Sequence, residues 1–206
     1  KEAFTAGVTT AGVDRLIVRH KVSLIQTLPE SYLARIQAIP GVAAACHQTW
    51  FSGIYQDPKN FFPNMPVVPD AFLAMFPEFV VSDTAQQAWR NTRTGAIVGR
   101  STANRFHWKI GDRITLKGTI YSGEWPMTVR GIYRGRDRGT DENQFFLHYD
   151  YLNERLKERY PRRANQVGIF VVEIRSGDQA AEISAAVDAL FRNSLAETLT
   201  ETERAF

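Results

Sequence analysis

Residues 98–116 read VGRSTANRFHWKIGDRITL, and this stretch decides how the whole chain is interpreted. Val98 and Gly99 end a short apolar run, a segment of helical composition follows, and Gly111 precedes the alternating pattern of a strand. A strand, a turn and a helix that carry Gly-x-Ser present the nucleophile in α/β-hydrolases. Ser101 is therefore the first candidate catalytic residue.

The hydrolase pattern around Ser101 is incomplete. The full pattern is Gly-x-Ser-x-Gly, and the last position here is Ala103. No glycine-rich stretch that could form an oxyanion hole precedes it. Candidate triad partners do follow in the right chain order, namely Asp137 or Asp141 and then His148. We favour a simpler interpretation, in which Ser101 or Thr102 caps the helix by accepting a backbone N–H hydrogen bond.

Composition places the chain among globular proteins of one or two domains. Of its 206 residues, 44% are apolar and 23% are charged. A net charge of +3, from 25 basic and 22 acidic residues, argues against a nucleic-acid partner. The chain does not begin with Met, and no apolar run reaches the ~18 residues of a membrane span. We therefore expect it to be an excised piece of a longer protein.

Metal and thiol chemistry are disfavoured by spacing. The single cysteine, Cys46, excludes an intrachain disulfide and a cysteine-based zinc site, and its apolar neighbours predict a small buried side chain. It is adjacent to His47 in a predicted strand, where the two side chains point to opposite faces. The four histidines lie on separate elements, and we expect them at the surface or partly buried: His20, His47, His107 and His148.

Three further segments are candidate sites. Gly131, Gly135 and Gly139 match neither phosphate-binding glycine pattern, so residues 134–144 are predicted to be a solvated loop, with partner binding as the alternative. The aromatic-rich residues 50–69 form either a second small core or an interface surface. One basic cluster suits the end of a helix, where cations complement the dipole: Lys157, Arg159, Arg162 and Arg163.

The order of elements predicts an α+β fold with mixed connections. A polar lead-in is followed by a strand from Asp14, a helix with Pro29 at its first position, and a long strand over residues 42–56. A hairpin is predicted through Ser122 and Gly123, and a strand and an amphipathic helix close the chain. One β-α-β-like unit thus precedes residue 56, another follows residue 165, and a strand-rich segment separates them.

The opening stretch, read together with WPMTVRGIYRG, resembles the extracytoplasmic core domain of MacB/FtsX-type ABC transporter permeases. That family shows a strand ending in Val-Gly, a short helix with a small Ala, then Gly-Asp and an alternating strand. The matching positions are Val98, Gly99, Ala103, Phe106, Gly111, Asp112, Ile114, Leu116, Val129, Gly131 and Ile132. The likeness covers most of the chain and is weakest at residues 57–80. The chain departs from the commoner pattern at Arg100 and Ser101, where the helix opens polar.

The resemblance implies an architecture. A porter-like β-α-β subdomain would be built from both chain ends, residues 1–56 and 165–206. An inserted strand-rich subdomain would occupy residues 57–164. Together they would form one periplasmic domain between the first and second transmembrane helices of a four-helix permease.

The resemblance also implies a function without catalysis. The permease would sit in the bacterial inner membrane, pair with a cytoplasmic ABC ATPase and a second permease copy, and drive export. ATP-driven motion would be passed to a periplasmic adaptor, lipoprotein or substrate, which is called mechanotransmission. No catalytic, cofactor-binding or metal-binding residue is then expected. The alternatives are a secreted serine hydrolase that uses Ser101 and a periplasmic module that binds a small ligand.

Overall fold

The computed structural model describes residues 15–206, and the chain divides into two compact units. Unit 1 combines residues 15–49 with Leu156–Phe206, and unit 2 is Trp50–Arg155. Both units contain strands and helices, so the predicted α+β class is confirmed. The predicted polar lead-in and Asp14 lie outside the described residues.

The bounds of the elements are as follows. The strands are β1 Arg15–His20, β2 Leu28–Pro29, β3 Val42–Gln48, β4 Asn64–Val67, β5 Phe79–Val80, β6 Gly95–Gly99, β7 Arg113–Gly118, β8 Gly123–Gly135, β9 Phe145–His148, β10 Gln166–Val167, β11 Ile169–Ile174 and β12 Thr198–Thr202. The α-helices are α1 Tyr32–Gln37, α2 Pro69–Met75, α3 Asp83–Arg90, α4 Arg100–Phe106, α5 Tyr149–Arg159 and α6 Ala180–Leu190. None of these described helices has the length and apolar character needed to cross a membrane.

Unit 1 is built on four antiparallel strands in the order β12-β1-β11-β3. The inner strand β11 is buried continuously from Ile169 to Val172, so side chains on both of its faces are shielded from solvent. Tyr32 of α1 stacks on Phe191, which follows α6, with ring centroids 3.7 Å apart. Both helices therefore pack on the same face of this sheet.

Two predicted elements of unit 1 differ from the structure. Pro29 is not the first residue of a helix, because it lies in β2 and pairs with Gln166 of β10. Helix α1 begins three residues later, at Tyr32, and buries Tyr32 and Ile36. The strand predicted over residues 42–56 ends at Gln48, because the chain passes into unit 2 after Thr49.

Unit 2 contains a mixed sheet around the long strand β8. Parallel β6 pairs with one side of β8, and antiparallel β7 and β5 pair with the other side at different points. The predicted hairpin is confirmed, since β7 and β8 bury alternate residues: Ile114, Leu116, Met127 and Val129. Strand β9 lies between β6, to which it is antiparallel, and β4, to which it is parallel.

The aromatic-rich segment contributes to the core of unit 2. Phe51 is fully buried and meets the ring of Trp125 edge-on, with centroids 5.2 Å apart. Phe62 is 2% exposed and packs on Phe145 and Trp108. The prediction of a second small core is confirmed for these side chains, whereas Phe61 is 54% exposed.

Candidate functional surfaces

Strands β1 and β12 lie side by side, and a buried ion pair closes one end of this pair of strands. The Arg15 Nε donates to Oε2 of Glu203 at 2.7 Å, and the two side chains are 6% and 2% exposed. The Glu203 backbone N–H donates to the Arg15 carbonyl at 3.0 Å. Charge-assisted bonds of this kind are strong when their surroundings exclude water. We call this pair of residues the clamped end.

Cys46 of β3 lies near the positive charge of Arg15. Burial raises the pKa of its thiol to about 12, and Arg15 opposes that shift only in part. A thiol in this state is a poor nucleophile, because the thiolate is the reactive form. Cys46 is free and buried, so its prediction as a small core side chain is confirmed.

The opposite end of the same two strands carries three exposed apolar side chains. Val22, Ile25 and Leu195 are 74%, 83% and 107% exposed. They lie on the loop after β1 and the loop before β12, which meet where His20 pairs with Thr198. We call these three residues the apolar tip. Single exposed apolar side chains are ordinary, but three of them on two loops that meet make this tip a candidate contact surface.

Polar contacts hold the backbone under the apolar tip. The Lys21 N–H donates to the Glu197 carbonyl at 2.8 Å, and the Lys21 Nζ lies 3.3 Å from the Glu197 carboxylate. The Asn193 N–H donates to the other carboxylate oxygen at 2.7 Å. The Asn193 bond, and after it Lys21, lowers the pKa of Glu197. The apolar side chains are thus presented on an ordered turn.

The structure changes the role assigned to Ser101. The N-cap of α4 is Gly99, and neither Ser101 nor Thr102 caps the helix, so that prediction was wrong. Ser101 is exposed, and its N–H donates to the Glu142 carbonyl at 3.1 Å. The Thr102 hydroxyl donates to the Asn143 carbonyl at 2.7 Å. The helix start is therefore satisfied by the loop of residues 141–144.

The other members of the candidate triad are occupied elsewhere. The His148 Nε2 lies 2.6 Å from the Trp89 carbonyl, and burial lowers the pKa of this histidine. Asp141 accepts from Asn143, and Asp137 accepts from Gly139 and Thr140. The structure thus gives each of these groups another partner and joins none of them to Ser101 in a catalytic chain.

The histidines are more buried than the sequence indicates. His20 and His148 are each 7% exposed and His47 is 1% exposed, whereas His107 is exposed. Burial lowers the pKa of His47 to about 4, so this side chain is neutral at pH 7. Over residues 15–206, no three His, Cys, Asp or Glu side chains come together in a way that could hold a metal ion.

The remaining candidates agree with their simpler interpretations, except that Arg134 and Gly135 belong to β8 and not to the predicted loop. Gly131 and Gly135 lie in β8, and residues 136–144 form an irregular polar loop. The basic cluster lies at the surface near the end of α5: Lys157, Arg159, Arg162 and Arg163.

Known proteins share this architecture. The periplasmic region of MacB from Actinobacillus actinomycetemcomitans superposes with a TM-score of 0.63 at 11% identity, over 96% of this chain and 92% of that one. The extracellular domain of the noncanonic ABC-type transporter YknZ from Gram-positive bacteria gives 0.62 at 12% identity, over 92% and 99%. A domain of a putative permease protein from Porphyromonas gingivalis gives 0.59 at 18% identity, over 92% and 89%.

The likeness to these structures concerns the fold, and the family assignment rests on the sequence. No curated protein matches the chain significantly. The sequence profile of the MacB-like periplasmic core domain matches residues 2–190, which is most of the chain. The chain therefore belongs to the family of MacB-like periplasmic core domains, which are extracytoplasmic domains of ABC-type transporter permeases.

Proposed function

We propose that this domain passes ATP-driven movement of a permease to a partner or substrate outside the cytoplasm and catalyses no reaction itself. The observation that carries the proposal is the clamped end. There, β1 and β12 run side by side and Arg15 is fixed to Glu203 within the protein interior. If membrane helices precede β1 and follow β12, as the family resemblance implies, their relative movement enters the domain at this buried pair.

The two units suggest a division of labour. Unit 1 contains both the clamped end and the apolar tip, and we assign it the porter-like role. Unit 2 is then the inserted subdomain. The permease would lie in the bacterial inner membrane with a cytoplasmic ABC ATPase and a second permease copy. A periplasmic adaptor or lipoprotein would dock on the apolar tip, whose exposed side chains suit a protein contact.

The test uses the full-length permease with its ATPase in lipid nanodiscs. Leu195→Cys places a spin label on the apolar tip, and all accessible cysteines elsewhere are removed. Cys46 stays in place, since its buried thiol of raised pKa should not react. Distances between the labels of the two copies are measured without nucleotide and with non-hydrolysable ATP. We expect the distance distribution to shift when nucleotide binds.

A matched pair of variants tests the route. Glu203→Gln weakens the clamped end, whereas Lys21→Ala removes the exposed ion pair that joins the same two strands. We expect Glu203→Gln to diminish the shift and Lys21→Ala to preserve it. Identical label distances in both nucleotide states of the unmodified pair would contradict the proposal.

A further inference from the structure

A cleft of about 410 Å³ opens beside β8 in unit 2. Its volume falls within the range of ligand pockets. Much of its lining is aliphatic, and two arginines also contribute to it: Val80, Val81, Ile110, Ile132, Arg100 and Arg134. Ile110 is 60% exposed, although the loop that carries it is anchored by a bond from the Gly111 N–H to the Val129 carbonyl at 2.7 Å. The cleft thus exposes apolar surface on a fixed frame.

The cleft coincides with an interruption in the sheet. On the side of β8 opposite β6, strand β7 pairs with it up to Thr128, and β5 pairs only with Arg134 and Gly135. No described strand pairs with residues 130–133 on that side. After Val80 the chain leaves the sheet and enters α3, whose N-cap Ser82 also lines the cleft. A gap of this kind can accept an extended segment as an added strand.

The charges of the cleft are unequal. Arg100 lies 3.0 Å from the Glu142 carboxylate, which also accepts the Gly135 N–H at 2.9 Å, so its charge is compensated. Arg134 is exposed and forms no ion pair or side-chain hydrogen bond with any described residue. One uncompensated cation therefore stands beside the apolar lining. Its natural complement is a carboxylate.

We propose that this cleft binds a short extended peptide segment of a partner protein, which pairs with the open side of β8, lays an aliphatic side chain on the apolar lining and sets a carboxylate against Arg134. The carboxylate belongs either to an acidic side chain or to a C-terminus. This binding site is independent of the proposed transmission of movement through the clamped end. It assigns unit 2 a recognition role of its own.

A peptide fits this cleft better than a lipid. A fatty acid would contact the aliphatic lining and Arg134, but its chain has no amide groups to form hydrogen bonds with the open side of β8. A peptide uses all three features, since its main chain forms the strand bonds and its alternate side chains reach the lining. Replacing the central residue of the peptide by proline removes a backbone donor and so distinguishes the two modes.

The experiment uses the 206-residue chain and the fluorescein-labelled peptide Gly-Val-Ile-Val-Asp, with fluorescence anisotropy as the readout. Three further versions of the peptide separate the two sources of the carboxylate. One has an amidated C-terminus, one has Asn in place of Asp, and one has both changes. The version Gly-Val-Pro-Val-Asp tests strand pairing. We expect saturable binding that Arg134→Glu weakens about tenfold, because the charge reversal replaces attraction by repulsion. The proline peptide should bind weakly or not at all.

Two protein variants serve as comparisons. Arg138→Glu makes the same charge change at an exposed loop position that does not line the cleft, and affinity should change less than about twofold. Ile110→Glu places a carboxylate at the cleft mouth on an exposed side chain, so the fold should survive while binding falls. Circular dichroism melting curves verify that each variant is folded.

Several results would overturn the proposal. One is the absence of saturable binding by every peptide up to about 1 mM. A second is equal binding of the proline peptide. A third is affinity that Arg134→Glu leaves unchanged in a folded variant. A fourth is binding of dodecanoate, weakened by Arg134→Glu, when none of the peptides binds. That result would assign the cleft to a lipid and refute the peptide proposal.

Discussion

The two ends of the β1–β12 strand pair use the same chemistry in opposite surroundings. At the clamped end, Arg15 and Glu203 are 6% and 2% exposed. At the apolar tip, Lys21 and Glu197 are 61% and 31% exposed, and the neighbouring side chains are apolar and open to solvent. An ion pair removed from water is costly to break, whereas an exposed pair contributes little. One end is thus held by a contact that is costly to break, whereas the other end leaves apolar side chains open to solvent.

The largest expected effect comes from breaking the clamped end. Glu203→Ala leaves the Arg15 guanidinium buried without its carboxylate, and we expect a loss of about 3–5 kcal/mol in the free energy of unfolding. Urea denaturation of the 206-residue chain measures this loss. In Arg15→Met/Glu203→Leu, apolar packing replaces both charges and should recover most of it. If the double variant is no more stable than Glu203→Ala, the unpaired buried charge of Arg15 is not the cause of the loss.

The next effect concerns a buried polar group without a charge. Burial lowers the folded-state pKa of His47 from 6.5 to about 4, so folding favours the neutral ring. The corresponding stability is complete above pH 6.5 and is lost as pH falls from 6.5 to about 4, by at most about 3 kcal/mol. Unfolding curves of the wild type and His47→Gln over this range should differ in slope, and parallel curves would refute the assignment.

The smallest effect is expected at the apolar tip. Lys21→Ala removes the exposed ion pair with Glu197 but leaves the Lys21 N–H bond to the Glu197 carbonyl in place. We expect the free energy of unfolding, measured in the same urea experiment, to stay close to that of the wild type, because an exposed ion pair contributes little. A loss comparable to that of Glu203→Ala would erase the distinction between the two ends.

The features that sequence analysis predicted correctly are local ones. The β7–β8 hairpin follows from alternation, since Ile114 and Leu116 are buried and Thr115 between them is exposed. Helix α3 has an equally local origin, because the Ser82 hydroxyl accepts the Ala85 N–H as an N-cap. In both cases the deciding interactions lie within a few residues of each other.

The features that were missed depend on distant parts of the chain. Arg15 and Glu203 are 188 positions apart, and neither residue in its own segment signals a buried partner. The cap of α4 was wrongly predicted for the same reason, because the distant Glu142 carbonyl accepts the Ser101 N–H and the Asn143 carbonyl engages the Thr102 hydroxyl. Fold class and family could be read from ordered local patterns, whereas the clamped end, the apolar tip and the cleft required the folded chain.

The contact between Gly99 and Glu142 has a practical consequence for chimeric proteins. A Cβ at position 99 would collide with the Glu142 carbonyl, and the same carbonyl accepts a hydrogen bond from the Ser101 N–H. The polar loop of residues 136–144 therefore supports the start of α4, although the loop's sequence is typical of an exchangeable surface loop. In chimeras of related domains, residues 136–144 and 99–106 should therefore be exchanged together, because either segment alone would lose its contacts with the other.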